Sequence, residues 1–89
     1  MKIDVYDSYA KSNDGATLHF DVFVESGTPA EIALENGREW MKSINESAES
    51  LQSSRCNFCH SRVAESVVQQ AIKEKGYYIF QMEGCPGPA

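Results

Sequence analysis

This chain has little of what usually declares a function. No apolar run approaches the ~20 residues a membrane-spanning helix needs. The opening "MKIDVYDSYA" alternates apolar and polar residues and has no apolar core of a secretory signal. Cations are scarce: eight Lys and Arg, scattered along the chain, face thirteen Asp and Glu for a formal net charge of -5. A phosphate backbone recruits a basic face, so nucleic acid is not expected as a partner. There is no Gly-rich phosphate loop, and two histidines are too few to argue a Ser-His-Asp arrangement from sequence. Three cysteines make an odd set, unlike the even set of a secreted disulfide scaffold. A cytoplasmic protein with reduced thiols is expected.

What is present suits one small domain. At 89 residues the chain buries only about 60% of its unfolded surface, a regime in which a metal staple matters. Residues 1–85 are expected to form the domain and 86–89 a C-terminal tail. "KIDVYDSY" and "TLHFDVFVE" alternate with the period of half-buried strands. Between them Asn13, Asp14 and Gly15 suit a tight reversal, so a β-hairpin is predicted. Thr28, Pro29 and Glu31 read as N-cap, first helical residue and capping-box acid. Ala30, Ala33, Leu34, Gly37, Trp40, Met41 and Ile44 then share one helical stripe. Gly37 predicts a close approach of this helix to the sheet.

Residues 45–55 read as a loop with room for one short edge strand around Leu51. A second helix is predicted directly after "CNFCH", with Ser61 as its cap. Its stripe is Ala64, Val67, Val68, Ala71 and Ile72, Lys73 and Lys75 occupy the last turn, and Gly76 stops it. "YYIFQM" is a final strand. The order β-β-α-(β)-α-β predicts an α+β two-layer sandwich, a small mainly antiparallel sheet with both helices on one face. The opposite face would then carry Tyr6, Phe23 and either Tyr77 with Ile79 or Tyr78 with Phe80. A patch of that kind suits a protein partner or a second copy of the chain, and scattered exposed aromatics are the plainer reading. Asp7 falls on the inner face with Ile3 and Val5. A bulge or turn there accounts for it, and its carboxylate gains chemical interest only if His19 joins it.

"CNFCH" has four readings. A tetrahedral zinc site would use Cys56, Cys59 and Cys85 with His60, ahead of His19, as fourth ligand. A thiol-disulfide redox pair would exploit a helix N-terminus after Cys56 and Cys59 to lower a thiol pKa. The five letters also match the covalent haem attachment pattern. Finally, the three cysteines can be plain semi-buried residues. The second helix of about 15 residues is ~22 Å long at 1.5 Å per residue, about the reach of the last strand. That match predicts that Cys85 returns toward the C-x-x-C.

"VYDSY", "HFDV", "CNFCHS" and "GYYIFQMEGCP" together resemble a small bacterial family known as a domain of unknown function, family twenty twenty-four. The resemblance runs over nearly the whole chain and falls on Asp7, Tyr9, His19, Asp21, Cys56, Phe58, Cys59, His60, Glu83, Gly84 and Cys85. It implies an α+β fold and brings no activity, substrate or cofactor. The function expected is therefore a small binding or interaction module rather than an enzyme, with zinc as the leading cofactor candidate and none established. The alternative is a thiol-disulfide redox protein.

Overall fold

The computed structural model describes residues 1–87; of the expected tail, positions 88 and 89 lie outside the described residues. The hairpin is present, with β1 at Lys2–Lys11 and β2 at Thr17–Glu25. Helix α1 spans Ala30–Ser43, β3 spans Cys56–Val63, α2 spans Ser66–Lys75 and β4 spans Tyr78–Gln81. The four strands form one antiparallel sheet in the order β3-β1-β2-β4. The fold is α+β, with the element order β-β-α-β-α-β. No helix among the described residues is long and apolar enough to cross a membrane.

The hairpin register explains the layering. Val5 lies opposite Phe23, Tyr6 opposite Val22, Asp7 opposite Asp21 and Tyr9 opposite His19. Side chains alternate across a sheet, so Tyr6, Ser8, Ala10, Leu18, Phe20, Val22 and Val24 share one face. Against it α1 buries Ala33, Gly37, Trp40 and Met41. Trp40 packs on Phe20 with ring centroids 4.7 Å apart. Gly37 does mark a close approach: a Cβ there would sit 2.7 Å from Leu51 Cδ2 and 3.3 Å from Val22 Cγ2.

The other face carries Ile3, Val5 and Phe23, and α2 covers them with Val68 and Ile72, helped by Ala64. One helix therefore lies on each side of the sheet, a three-layer arrangement instead of two helices on one face. The cause is visible in the residues. Val22, Phe23 and Val24 are consecutive and apolar, and so are Val5 and Tyr6, so both faces at this end need cover. The expected helix-free aromatic face does not form. Tyr6 and Phe23 point to opposite sides, at 6% and 3% exposure, and Tyr78 packs beside the α2 cluster.

Smaller differences have local causes. The Thr28 hydroxyl donates to the Glu25 carbonyl at 2.7 Å instead of capping α1, and the helix begins one residue later with Pro29 at the N-cap. The connection after α1 contains two short 3-10 turns, Ala48–Ser50 and Ser53–Arg55, with Leu51 buried between them. Gly76 takes the expected left-handed conformation at φ 94° and its N–H closes α2 on the Ile72 carbonyl at 2.8 Å. The largest difference is "CNFCHSRV", which is the edge strand β3 and not the start of α2.

Candidate functional site

Helix α2 has ten residues and is ~15 Å long at 1.5 Å per residue. Strand β1 also has ten, but at ~3.4 Å each it extends over twice as far. The helix therefore shields one end of its sheet face, where the residues are Ile3, Val5 and Phe23. At the other end the same alternation presents Tyr9, Asp7, His19 and Asp21, all only partly buried.

These four side chains form a connected group. His19 Nε2 lies 2.7 Å from Asp7 Oδ1. The His19 ring stacks on its cross-strand neighbour Tyr9, with centroids 4.1 Å apart and planes 8° from parallel. The Arg55 guanidinium sits over the Tyr9 ring, 5.6 Å from its centroid. The imidazole is thus held in orientation by a stacked ring on one side and a carboxylate at its edge. Asp7 and Asp21 are direct cross-strand partners, a like-charge pairing that disfavours the sheet unless something offsets it. Burial, and the Asp7 carboxylate beside it, push the Asp21 carboxyl up to about 6, while His19 and His60 act in the opposite direction. Asp7, His19 and Asp21 each offer one ligand atom within 4.8 Å of the others, and they are the one such trio among the described residues.

Asp4 shows what a structural carboxylate looks like on the same strand. It accepts hydrogen bonds from Ser26 Oγ at 2.8 Å, Ser61 Oγ at 2.7 Å and the Gly27 N–H at 3.2 Å. Those hydroxyl donors hold its carboxyl below the ordinary range. Asp21 is shifted the opposite way because its neighbour is another acid.

The cysteines are spread out. Cys56 is buried on the α1 face, where the Ser8 hydroxyl donates to its sulfur at 3.4 Å. Cys59 is exposed at a bulge, where the β1–β3 register shifts between Val5 and Tyr6, and its sulfur lies 3.2 Å from His60 Nδ1. Cys85 follows β4, and its thiol donates to the His19 carbonyl at 3.4 Å. Strands β1 and β2 separate β3 from β4. The Cys85 thiol reaches back to the His19 carbonyl on β2, and among the described residues no group of three or more Cys, His, Asp or Glu ligand atoms includes a cysteine. Cys56, Cys59, Cys85 and His60 therefore do not converge on one point, and the expected return of Cys85 to the C-x-x-C does not occur. The length match assumed that the C-x-x-C began the helix; it lies on the far edge of the sheet instead.

The redox geometry fails for a related reason. Three residues along a strand separate Cα atoms by ~10 Å, beyond the ~7 Å a disulfide tolerates. Burial pushes the Cys56 thiol up, as it does that of Cys85. All three cysteines are free.

The C-terminal turn positions the site from behind. The His19 N–H donates to the Glu83 carbonyl at 2.9 Å, and the Met82 N–H donates to the His19 carbonyl at 3.0 Å. Gly84, at φ 79°, lets this turn lie against β2, since a Cβ there would sit 2.1 Å from the Thr17 carbonyl oxygen.

The sequence pointed to His19 as a second-choice zinc ligand and to Asp7 as an oddity of interest only if His19 joined it, which it does. The family resemblance also fell on Asp7, Tyr9, His19 and Asp21. The usable signal was two acids on facing hairpin strands, at positions that alternation assigns to a face otherwise apolar.

A search among curated proteins finds no match. Among solved structures the chain is similar to the NMR structure of protein NE1680 from Nitrosomonas europaea, a Northeast Structural Genomics Consortium target. The two share 45% identity and superpose with a TM-score of 0.83, over 96% of this chain and 99% of that one. The family model described as "Domain of unknown function (DUF2024)" matches residues 1–82, which takes in both hairpin strands, β3 and β4. This chain belongs to that family.

Proposed function

We propose that the protein is a small cytoplasmic binding module that takes a cationic ligand on the uncovered half of its α2-side sheet face. One observation carries this reading: Asp7 and Asp21 face each other across the hairpin, with Asp21 pushed up to about 6 by burial and its acidic neighbour. A sheet that sets two acids opposite one another stores an unfavourable interaction, which a bound positive charge relieves. The acidic balance of the chain draws cations toward it over longer range. Three free cysteines are in keeping with a reducing compartment.

The test is an amide NMR titration of the full chain with three probes in turn: a divalent metal ion, an alkyl diamine and guanidinium. The expected result is saturable shifts from at least one probe, centred on residues 7, 9, 19 and 21. Shifts confined to other surfaces, or none from any probe, overturn the proposal.

A further inference from the structure

Resting on that reading, the geometry points to a divalent first-row transition metal as the ligand, coordinated by Asp7, His19 and Asp21. The donor set is two carboxylate oxygens and one imidazole nitrogen. Magnesium and calcium favour all-oxygen shells and copper(I) favours sulfur, whereas mixed oxygen and imidazole donors suit zinc, manganese or iron(II). Oxygen and nitrogen ligands bind zinc at about 2.0–2.2 Å, which places neighbouring donor atoms roughly 3–3.5 Å apart. The three donor atoms already lie within 4.8 Å of one another, close to that spacing.

The support for these donors is unusually rigid for a small surface site. All three stand on the central antiparallel pair β1 and β2, and two of them are direct cross-strand partners. The Tyr9 ring fixes the plane of the imidazole, and the Glu83 and Met82 backbone pairs fix the strand beneath it. Three protein ligands leave at least one coordination position to water or a further molecule. The open half of the face gives that position access. His60, which lies opposite Val5 on β3, acts electrostatically on Asp21 from the third strand; the β4 residue opposite Asp21 is Phe80, which does not titrate. Coordination requires ionised carboxylates and an imidazole nitrogen free of its proton.

The experiment uses the full chain with its thiols reduced, freed of metal by chelation and dialysis. Zinc is titrated by calorimetry, and manganese by paramagnetic broadening of amide signals. Expected are one ion per chain and broadening centred on residues 7, 19 and 21. His19→Ala and Asp21→Asn should each weaken zinc more than ~100-fold, since even supporting residues around a metal contribute 10–100-fold. Cys59→Ser should leave the affinity within about twofold, since its exposed thiol on β3 contacts His60 and none of the three proposed ligands. Far-UV circular dichroism checks each variant, and the near-isosteric Asp21→Asn decides the matter should His19→Ala not fold. Zinc binding unchanged in Asp21→Asn, or lost in Cys59→Ser, overturns the assignment. If the alkyl diamine binds at residues 7 and 21 while zinc and manganese do not, the metal is wrong and the cation-binding reading stands. If no probe binds, both fall.

Discussion

The two halves of the α2-side sheet face are built from the same two strands and have opposite chemistry. One half holds Ile3, Val5 and Phe23 under Val68 and Ile72. The other holds Asp7, Tyr9, His19 and Asp21, none of which joins the cluster under α2. In the covered half every residue gains by leaving water, and stability is its evident purpose. In the open half two acids meet head-on, an arrangement that stability alone would remove. Replacing either acid by an apolar residue would extend the α2 core and relieve the repulsion. That this end stays polar, short of cover and internally strained is the pattern of a site kept for a ligand at some loss of stability.

The largest test of the contrast is in the covered half. Phe23→Ala removes a ring that is buried beneath α2 and stacked on Phe80 at 6.1 Å. It should destabilise the fold by about 3–5 kcal/mol in urea unfolding, enough to unfold so small a domain at elevated temperature. A loss below about 1 kcal/mol would mean that α2 is not the cover it looks to be. Next in size is Gly84→Ala. The added methyl would meet the Thr17 carbonyl oxygen, and the residue would have to hold a positive φ. A loss on the order of 1–3 kcal/mol is expected. Its amide shifts should spread through residues 17–19 and reach the His19 ring, because the turn hydrogen-bonds to that strand.

Asp21→Asn probes the open half through pH. The ordinary carboxyl value of 3.8 is raised in the fold to about 6. Between those values the unfolded chain is ionised while the folded chain keeps its proton. The penalty from Asp21 is therefore absent below about pH 4, grows with rising pH and is complete above about pH 6. Because the group is partly solvated, the effect is discounted to the order of 1 kcal/mol. Asp21→Asn should accordingly be more stable than the parent at pH 8 and nearly equal to it at pH 4, by parallel denaturant titrations. Equal stability at both values would remove the strain argument for the open half.

How much of this was legible in the sequence follows from how local each signal is. The hairpin, α1, the close approach at Gly37 and the stop at Gly76 all rest on short-range periodicity or turn chemistry, and all are present. β3 was illegible because it is an edge strand exposed from Asn57 to Val63. No apolar alternation marks it, and its partner β1 is some fifty residues away. The side taken by each helix was readable in principle from Val22, Phe23 and Val24, since three consecutive apolar residues in a strand require cover on both faces. Treating Phe23 as solvent-facing hid that. Asp7, His19 and Asp21 converge only once the register is known, and register depends on the turn closing at one particular residue. "CNFCH" drew attention for its letters, yet letters at strand spacing lie on different faces and at different depths.

The smallest predicted effect is also the most discriminating. Tyr9 stacks on His19 and carries Arg55 on its ring, but it lies outside both buried clusters. Tyr9→Ala should therefore destabilise by only about 0.5–1.5 kcal/mol, the range for a stacked ring pair, and far less than Phe23→Ala. What it should change is the imidazole. Without the ring beneath it, His19 gains rotational freedom, and its ring signals in NMR should lose the upfield displacement that a stacked aromatic imposes. Asp7 would still hold one edge through Nε2, so the ring would swing about that contact and would not leave the site. Tyr9→Phe, which keeps the stack, should restore the His19 signals. If Tyr9→Ala instead destabilises as much as Phe23→Ala, the open half belongs to the core after all, and the division of this face into a stabilising end and a binding end fails.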